Sequence, residues 1–134
     1  MAQSPHTPHV DIMRSPLGRA RGLGSARAGS AHWWAQRLTA IALVPLTLWF
    51  IDVVIHMKGA EQTEVILWLS SPLSLVLMLA LIIATFHHLQ LGLQVVIEDY
   101  VPDHAKKLIS ILAIKAVCVI LALICIVSVL KLGL

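Results

Sequence analysis

The sequence predicts an all-α membrane protein that crosses the bilayer three times. Of its 134 residues, 58% are hydrophobic and 13% are charged, and its mean hydropathy is +0.86. A typical soluble domain has about 25% charged residues. The charges are also nearly absent from three long apolar stretches, each with the roughly 20 residues that a bilayer core requires. A water-soluble fold of this size has too little interior to cover so much apolar surface, so lipid is the expected solvent.

The first 30 residues are predicted to form a flexible tail, because they are rich in Pro, Gly, Ser, Ala and Arg and lack apolar periodicity. Arginines are concentrated in the first 37 positions: Arg14, Arg19, Arg21, Arg27 and Arg37. This asymmetry indicates membrane topology rather than a nucleic-acid partner. Since the tail lacks the apolar core and cleavage site of a secretory signal, we expect residues 1–30 to be a retained cytoplasmic tail and residues 31–134 to form the membrane anchor.

The first predicted span covers residues 34–55. Trp33 and Trp34 stand at its start, where indole rings prefer the membrane interface. Asp52 and His56 lie one helical turn apart near its other end and are predicted to face each other. A short, nearly neutral loop is expected to follow, over residues 56–64.

The second and third predicted spans cover residues 72–97 and 108–130. Ser70 or Ser71 can cap the second helix, and Pro72 suits its first position. Outside the third helix, seven basic residues lie on the side of the N-terminus and the second loop, against Lys58 and Lys131 on the other side. The positive-inside rule therefore predicts a cytoplasmic N-terminus and a C-terminus on the opposite face.

Adjacent histidines in the second span are the main functional candidates, because an ionisable residue inside a membrane helix is costly. His87 and His88 point about 100° apart, so they cannot approach one metal ion from opposite sides. His88 is the better candidate for a haem-iron ligand, since Ala84 and Gly92, one turn before and after it, leave a groove for a flat ring. The alternative is that both histidines only form hydrogen bonds between helices.

Other polar residues have two interpretations each. Arg37, one turn inside the first span, can extend to the interface or pair with a haem propionate. Tyr100, after the second span, is an ordinary interfacial aromatic residue or a hydrogen-bond donor to a lipid-borne carbonyl. Asp99 beside it can anchor the loop or relay a proton.

A haem with two histidine ligands would need its second histidine from a partner membrane protein. We assign no function to the histidines expected in the tail or loops: His6, His9, His32 and His104.

Two segments carry a resemblance to a known family. They are H-H-L-Q-L-G-L-Q-V-V-I-E-D-Y, from His87 to Tyr100, and H-W-W-A-Q-R-L-T-A-I, from His32 to Ile41. A histidine followed eleven residues later by Asp-Tyr is a fairly specific pairing, and R-x-T-A-I adds independent support. Over about residues 14–134, the chain resembles the small hydrophobic membrane anchor of succinate dehydrogenase, respiratory complex II, of the alphaproteobacterial type.

The resemblance implies a non-catalytic anchor in the bacterial cell inner membrane, with a periplasmic C-terminus. His88 would be one axial ligand of haem b, and the larger membrane anchor, cytochrome b556, would supply the other. The resemblance places Arg37 near the haem propionates, Tyr100 in hydrogen-bond contact with ubiquinone, and Asp99 as its acidic neighbour. The iron-sulfur and flavoprotein subunits would dock on this anchor, and electrons from succinate would reduce quinone.

The sequence leaves three alternatives. A small proton-coupled transporter would use Asp52 or the histidine pair, but Asp52 lies near one end of its span rather than at the membrane centre. A scaffold without a cofactor and the anchor of a fumarate reductase are the other two. A reducible b-type haem signal would exclude the transporter and the bare scaffold.

Overall fold

The computed structural model of the protein describes residues 29–134. These residues form four helices and no strand: α1, Gly29–His56; α2, Gln62–Leu69; α3, Pro72–Tyr100; and α4, His104–Gly133. Helices α1, α3 and α4 are long and apolar enough to cross a membrane. The predicted all-α class with three spans is therefore confirmed. The predicted tail lies outside the described residues, except for its last two positions, which already belong to α1.

Each long helix extends beyond the span predicted for it. α1 begins at Gly29 rather than at residue 34, α3 continues to Tyr100, and α4 covers His104–Gly133 rather than residues 108–130. Hydrophobicity locates the part of a helix in hydrocarbon, whereas backbone hydrogen bonding continues into the interface. Residues next to the helix termini then determine where each helix begins or ends. Pro102 disfavours helical geometry just after α3, and the Asp103 side chain caps α4 by accepting from Lys106 N at 2.9 Å.

The connection between α1 and α3 contains a short helix, α2, that the sequence interpretation did not include. Gly59, with φ of 89°, reverses the chain after α1. Glu64 then accepts a hydrogen bond from the backbone of Glu61 at 3.3 Å, which stabilises the first turn of α2. The predicted start of the next helix is confirmed, because Ser71 caps α3 by accepting from Ser74 N and Pro72 lies in the first turn.

Helix α3 lies at the centre of the packing. α1 and α4 each pack against α3 but not against each other, and α2 packs against α3 and α4. Gly133, at the end of α4, permits the contact between α4 and α2. A Cβ on Gly133 would lie 2.9 Å from Leu75 Cδ1 and 3.3 Å from the Leu69 carbonyl oxygen. The side chains of α3 therefore divide between a face toward α1 and a face toward α4.

The bundle has little interior of its own. Among the described residues, no side chain is less than 2% exposed, and α1 contributes no buried residue. Large apolar side chains are exposed along all three long helices. An apolar surface this extensive is suited to lipid and to other membrane helices.

Candidate functional site between α1 and α3

The structure separates the two adjacent histidines of α3. His88 is half-buried, and its Nδ1 lies 2.9 Å from the Thr39 hydroxyl oxygen on α1. His87 is exposed and lines a shallow groove between α3 and α4, together with Gln90 and Cys118. The angle between successive helical residues thus directs His88 toward α1 and His87 toward the α4 side.

Only one nitrogen of His88 has a partner within the described part of the chain. The ring is positioned through Nδ1, whereas Nε2 forms no hydrogen bond there and is not among the buried polar atoms without a partner. Nε2 is thus left without a partner in residues 29–134. His88 lies about 18 Å along α3 from its end at Tyr100, well inside the span. An imidazole nitrogen without a partner at this depth is a suitable metal ligand.

A cleft between α1 and α3 opens toward the end where α1 begins and α3 ends. Gly92, one turn beyond His88, forms part of its wall, and a Cβ on Gly92 would lie 3.7 Å from Gln36 Nε2. A Cβ at this distance would make ordinary van der Waals contact, so Gly92 leaves a small space beside Gln36. The cleft is lined by Gly29, His32, Trp33, Gln36, Arg37, Gly92 and Val95.

Arg37 is the cationic residue of this cleft. Its side chain is exposed, and the guanidinium carbon lies 5.1 Å from the centre of the Trp33 ring, in a cation–π contact. It forms no ion pair with a carboxylate in residues 29–134, where Asp52 and His56 form the one salt bridge found. The guanidinium is therefore available for an anionic group that enters the cleft.

The prediction that His32 lies in the tail or a loop is wrong. His32 belongs to the first turns of α1, one turn before Gln36, because α1 begins at Gly29. His32 Nε2 and Gln36 Oε1 are both buried and have no hydrogen-bond partner among residues 29–134. Buried polar atoms are nearly always paired, with protein, water or a ligand. This end of the cleft therefore has unused capacity for a polar ligand.

Tyr100 and Asp99 lie at the same end of the bundle but apart from His88. Tyr100 is the last residue of α3 and is 82% exposed. Asp99 is also exposed, and neither side chain forms a hydrogen bond within the described residues. The neighbouring Glu98 does reach α1, because it lines a second cleft with Gly29 and His32. The described part of the chain thus leaves Tyr100 and Asp99 uncovered.

Three functional candidates on α1 were missed from the sequence. His32, Gln36 and Thr39 are spaced i, i+4, i+7, which places them on one face of the helix. The structure shows this face packed toward α3, with Gln36 near Gly92 and Thr39 at His88. A polar stripe at helical spacing in an otherwise apolar span was the available signal.

The predicted pairing of Asp52 and His56 at the other end of α1 is confirmed. His56 Nδ1 donates to the Asp52 carbonyl oxygen at 2.8 Å and lies 3.3 Å from the Asp52 carboxylate. The two side chains are 68% and 74% exposed. An exposed pair near a helix end is an interfacial contact worth little energy, and it does not supply a carboxylate at the membrane centre.

No group of three or more His, Cys, Asp or Glu side chains that could hold a metal ion occurs in residues 29–134. A haem differs from such a site, because the porphyrin supplies four iron ligands and the protein supplies one or two axial ligands. The Nε2 of His88 without a partner in the described residues, the small wall at Gly92 and the cation at Arg37 fit one half of a haem site. The second axial ligand would come from another chain.

Comparisons with known proteins identify the family of this chain. Residues 11–122 match the family described as the succinate dehydrogenase/fumarate reductase transmembrane subunit. The chain is 37% identical to the succinate dehydrogenase hydrophobic membrane anchor subunit of Rickettsia bellii over 76% of this chain and 82% of that protein. It is 32% identical to the Rickettsia conorii protein of the same name (80% and 86% covered) and 31% identical to that of Paracoccus denitrificans (69% and 72% covered). No solved structure shows significant similarity to it. The chain therefore belongs to the family of succinate dehydrogenase/fumarate reductase transmembrane subunits.

Proposed function

We propose that this chain is the membrane anchor of a succinate:ubiquinone oxidoreductase, in which it supplies one axial ligand to a haem b shared with the larger anchor protein. The family description includes both succinate dehydrogenase and fumarate reductase. The curated relatives carry succinate dehydrogenase names, which favours transfer of electrons from succinate to quinone. Flavin and iron-sulfur chemistry belongs to the other subunits, so this chain binds and positions rather than catalyses.

The observation that carries the proposal is the contrast between His88 and His87. His88 is held against α1 through Nδ1 and leaves Nε2 unpaired in residues 29–134, whereas His87 is exposed on the other side, toward α4. A residue that only joined two helices would not need a second nitrogen left without a partner in the described residues. Of the two histidines, only His88 has a glycine of the cleft wall, Gly92, one helical turn away.

The cleft at the start of α1 is suited to the propionate groups of the haem. Arg37 offers a guanidinium with no carboxylate partner in the described chain, held over Trp33. His32 Nε2 is a buried nitrogen without a partner among the described residues and can donate a hydrogen bond when it carries the ring proton. Charge-assisted hydrogen bonds from the Arg37 guanidinium to carboxylates are stronger than neutral ones. These side chains would orient the haem, and the haem, when bound, supplies one-electron transfer.

The exposed end of α3 would form part of the quinone site. Tyr100 can donate its hydroxyl proton to a quinone carbonyl oxygen, and Asp99 is placed beside it to hold or pass a proton. Both side chains are uncovered in this chain, as expected of residues completed by the iron-sulfur and larger anchor subunits. We place this end, with the arginine-rich tail, on the cytoplasmic side of the inner membrane, where protons for quinol formation are available.

The test is the absorption spectrum of the purified complex with single histidine substitutions. His88→Ala should abolish or strongly alter the reduced b-type haem bands, because it removes an iron ligand. His87→Ala, next to it on the same helix, is the matched control and should leave those bands unchanged. Equal effects of the two substitutions, or no haem in the unmodified complex, would refute the assignment of His88.

A further inference from the structure

We propose that Thr39 is a positioning residue that sets the tautomer of His88, so that Nε2 is the nitrogen presented to the haem iron. This inference rests on the proposed function and deepens it. It concerns a residue of α1 that binds no cofactor itself and acts through the imidazole on α3. The argument depends on which atom donates in the contact between the two side chains.

The hydroxyl of Thr39 has one proton and three close polar neighbours. Its oxygen lies 2.7 Å from the carbonyl oxygen of Ala35 and 3.1 Å from that of Gln36. Carbonyl oxygens only accept, so the hydroxyl proton is directed back along α1 to them. We therefore assign His88 Nδ1, at 2.9 Å, as the donor in the third contact and the Thr39 oxygen as the acceptor.

This direction of donation determines the state of the ring. A neutral imidazole with its proton on Nδ1 carries its lone pair on Nε2. Nε2 is also the nitrogen that has no partner in the described residues. The hydrogen bond further restricts rotation of the ring about its side-chain bonds. α1 thus prepares His88 as a ligand before the cofactor arrives, because both the tautomer and the orientation are fixed by one contact.

A bridge that only held α1 against α3 would have different properties. Hydrogen bonds between membrane helices are individually weak, so loss of such a bridge would slightly lower bundle stability. It would not change the electronic properties of a bound iron. An acceptor at Nδ1–H raises the basicity of the ligating nitrogen, and its removal typically costs about 10–100-fold in metal affinity. Spectroscopy and redox potential therefore separate the two roles.

The chain provides a matched control in Thr47. Its hydroxyl lies 2.6 Å from the Leu43 carbonyl oxygen and 3.1 Å from that of Val44, the same local pattern as at Thr39. Thr47 is exposed and has no imidazole partner in residues 29–134. Thr47→Val thus reproduces the loss of the hydroxyl and its bond to the helix backbone, without affecting His88.

The experiment compares Thr39→Val, Thr39→Ser and Thr47→Val in the complete complex, with haem titrated into complexes assembled without it. Thr39→Val should weaken haem binding by about 10–100-fold. It should also make the haem midpoint potential more positive and shift the low-spin ferric EPR signal, because a less basic imidazole stabilises ferric iron less well. Thr39→Ser should restore all three readouts, and Thr47→Val should match the unmodified complex.

The outcomes distinguish this inference from the proposed function. If Thr39→Val matches Thr47→Val in potential and EPR signal, the positioning role is refuted, even where His88→Ala removes the haem. If His88→Ala leaves the haem unchanged, the proposed function fails first and the Thr39 inference fails with it. Failure of Thr39→Ser to restore the potential would also refute the hydroxyl as the acceptor.

Discussion

Substitutions at Gly92 test whether the cleft beside His88 holds the haem. A Cβ on Gly92 would lie 3.7 Å from Gln36 Nε2, which is ordinary van der Waals contact. Gly92→Ala should therefore retain haem, and alanine is favoured over glycine in a helix by about 1 kcal/mol. Gly92→Leu adds a branched group beyond that Cβ. It must displace Gln36 or fill the cleft, and overpacking of this kind costs about 1–3 kcal/mol.

If the free energy of overpacking is lost from haem binding, Gly92→Leu should lower the affinity for haem by about 5–150-fold, since each 1.4 kcal/mol is a factor of ten. The assay is the haem content of the purified complex, followed by haem titration of complex assembled without haem. Thr85→Leu, which adds apolar volume at an exposed position of α3, is the control. Full haem affinity in Gly92→Leu, or equal losses in the alanine and leucine variants, would refute the location of the cofactor.

Arg37 and Tyr100 give two further predictions. Arg37→Gln should weaken haem binding about fivefold, because an exposed ion pair contributes about 1 kcal/mol or less. Arg37→Lys keeps the charge and should recover part of the loss. Haem titration measures both variants, and unchanged haem affinity in both would contradict the propionate contact. Tyr100→Phe should lower quinone reduction about tenfold by removing a hydrogen bond worth about 1–1.5 kcal/mol. Succinate oxidation by an artificial acceptor is its control, and equal loss in both assays would exclude a specific quinone contact.

The sequence was most informative where one physical effect dominates. Hydrophobicity identified the three spans, and Ser71 with Pro72 located the start of α3, because the cost of placing polar groups in lipid and the chemistry of helix caps are local. The preference for the His88 side of α3 was also available from helical geometry and the small residue at Gly92. These predictions needed no knowledge of tertiary packing.

The contacts on α1 required the packing itself. The partner of His88, Thr39, is 49 residues away in the chain. The polar stripe of α1 indicates a face of that helix, but only the packing shows which residue of α3 each of its members meets. His32 was misplaced because interfacial residues continue a helix beyond its apolar part, where hydropathy no longer reports on structure. α2 was missed for a related reason, since an eight-residue helix is too short to span a membrane.

The isolated position of α1 affects how the complex can assemble. α1 packs against α3 alone among the long helices and buries none of its own side chains, although Trp49 stacks on Trp68 of α2 at 5.8 Å. A helix that packs against only one other long helix can move outward in the bilayer. If the chain shares a haem with a larger anchor, as proposed, porphyrin insertion should accompany the pairing of the two proteins.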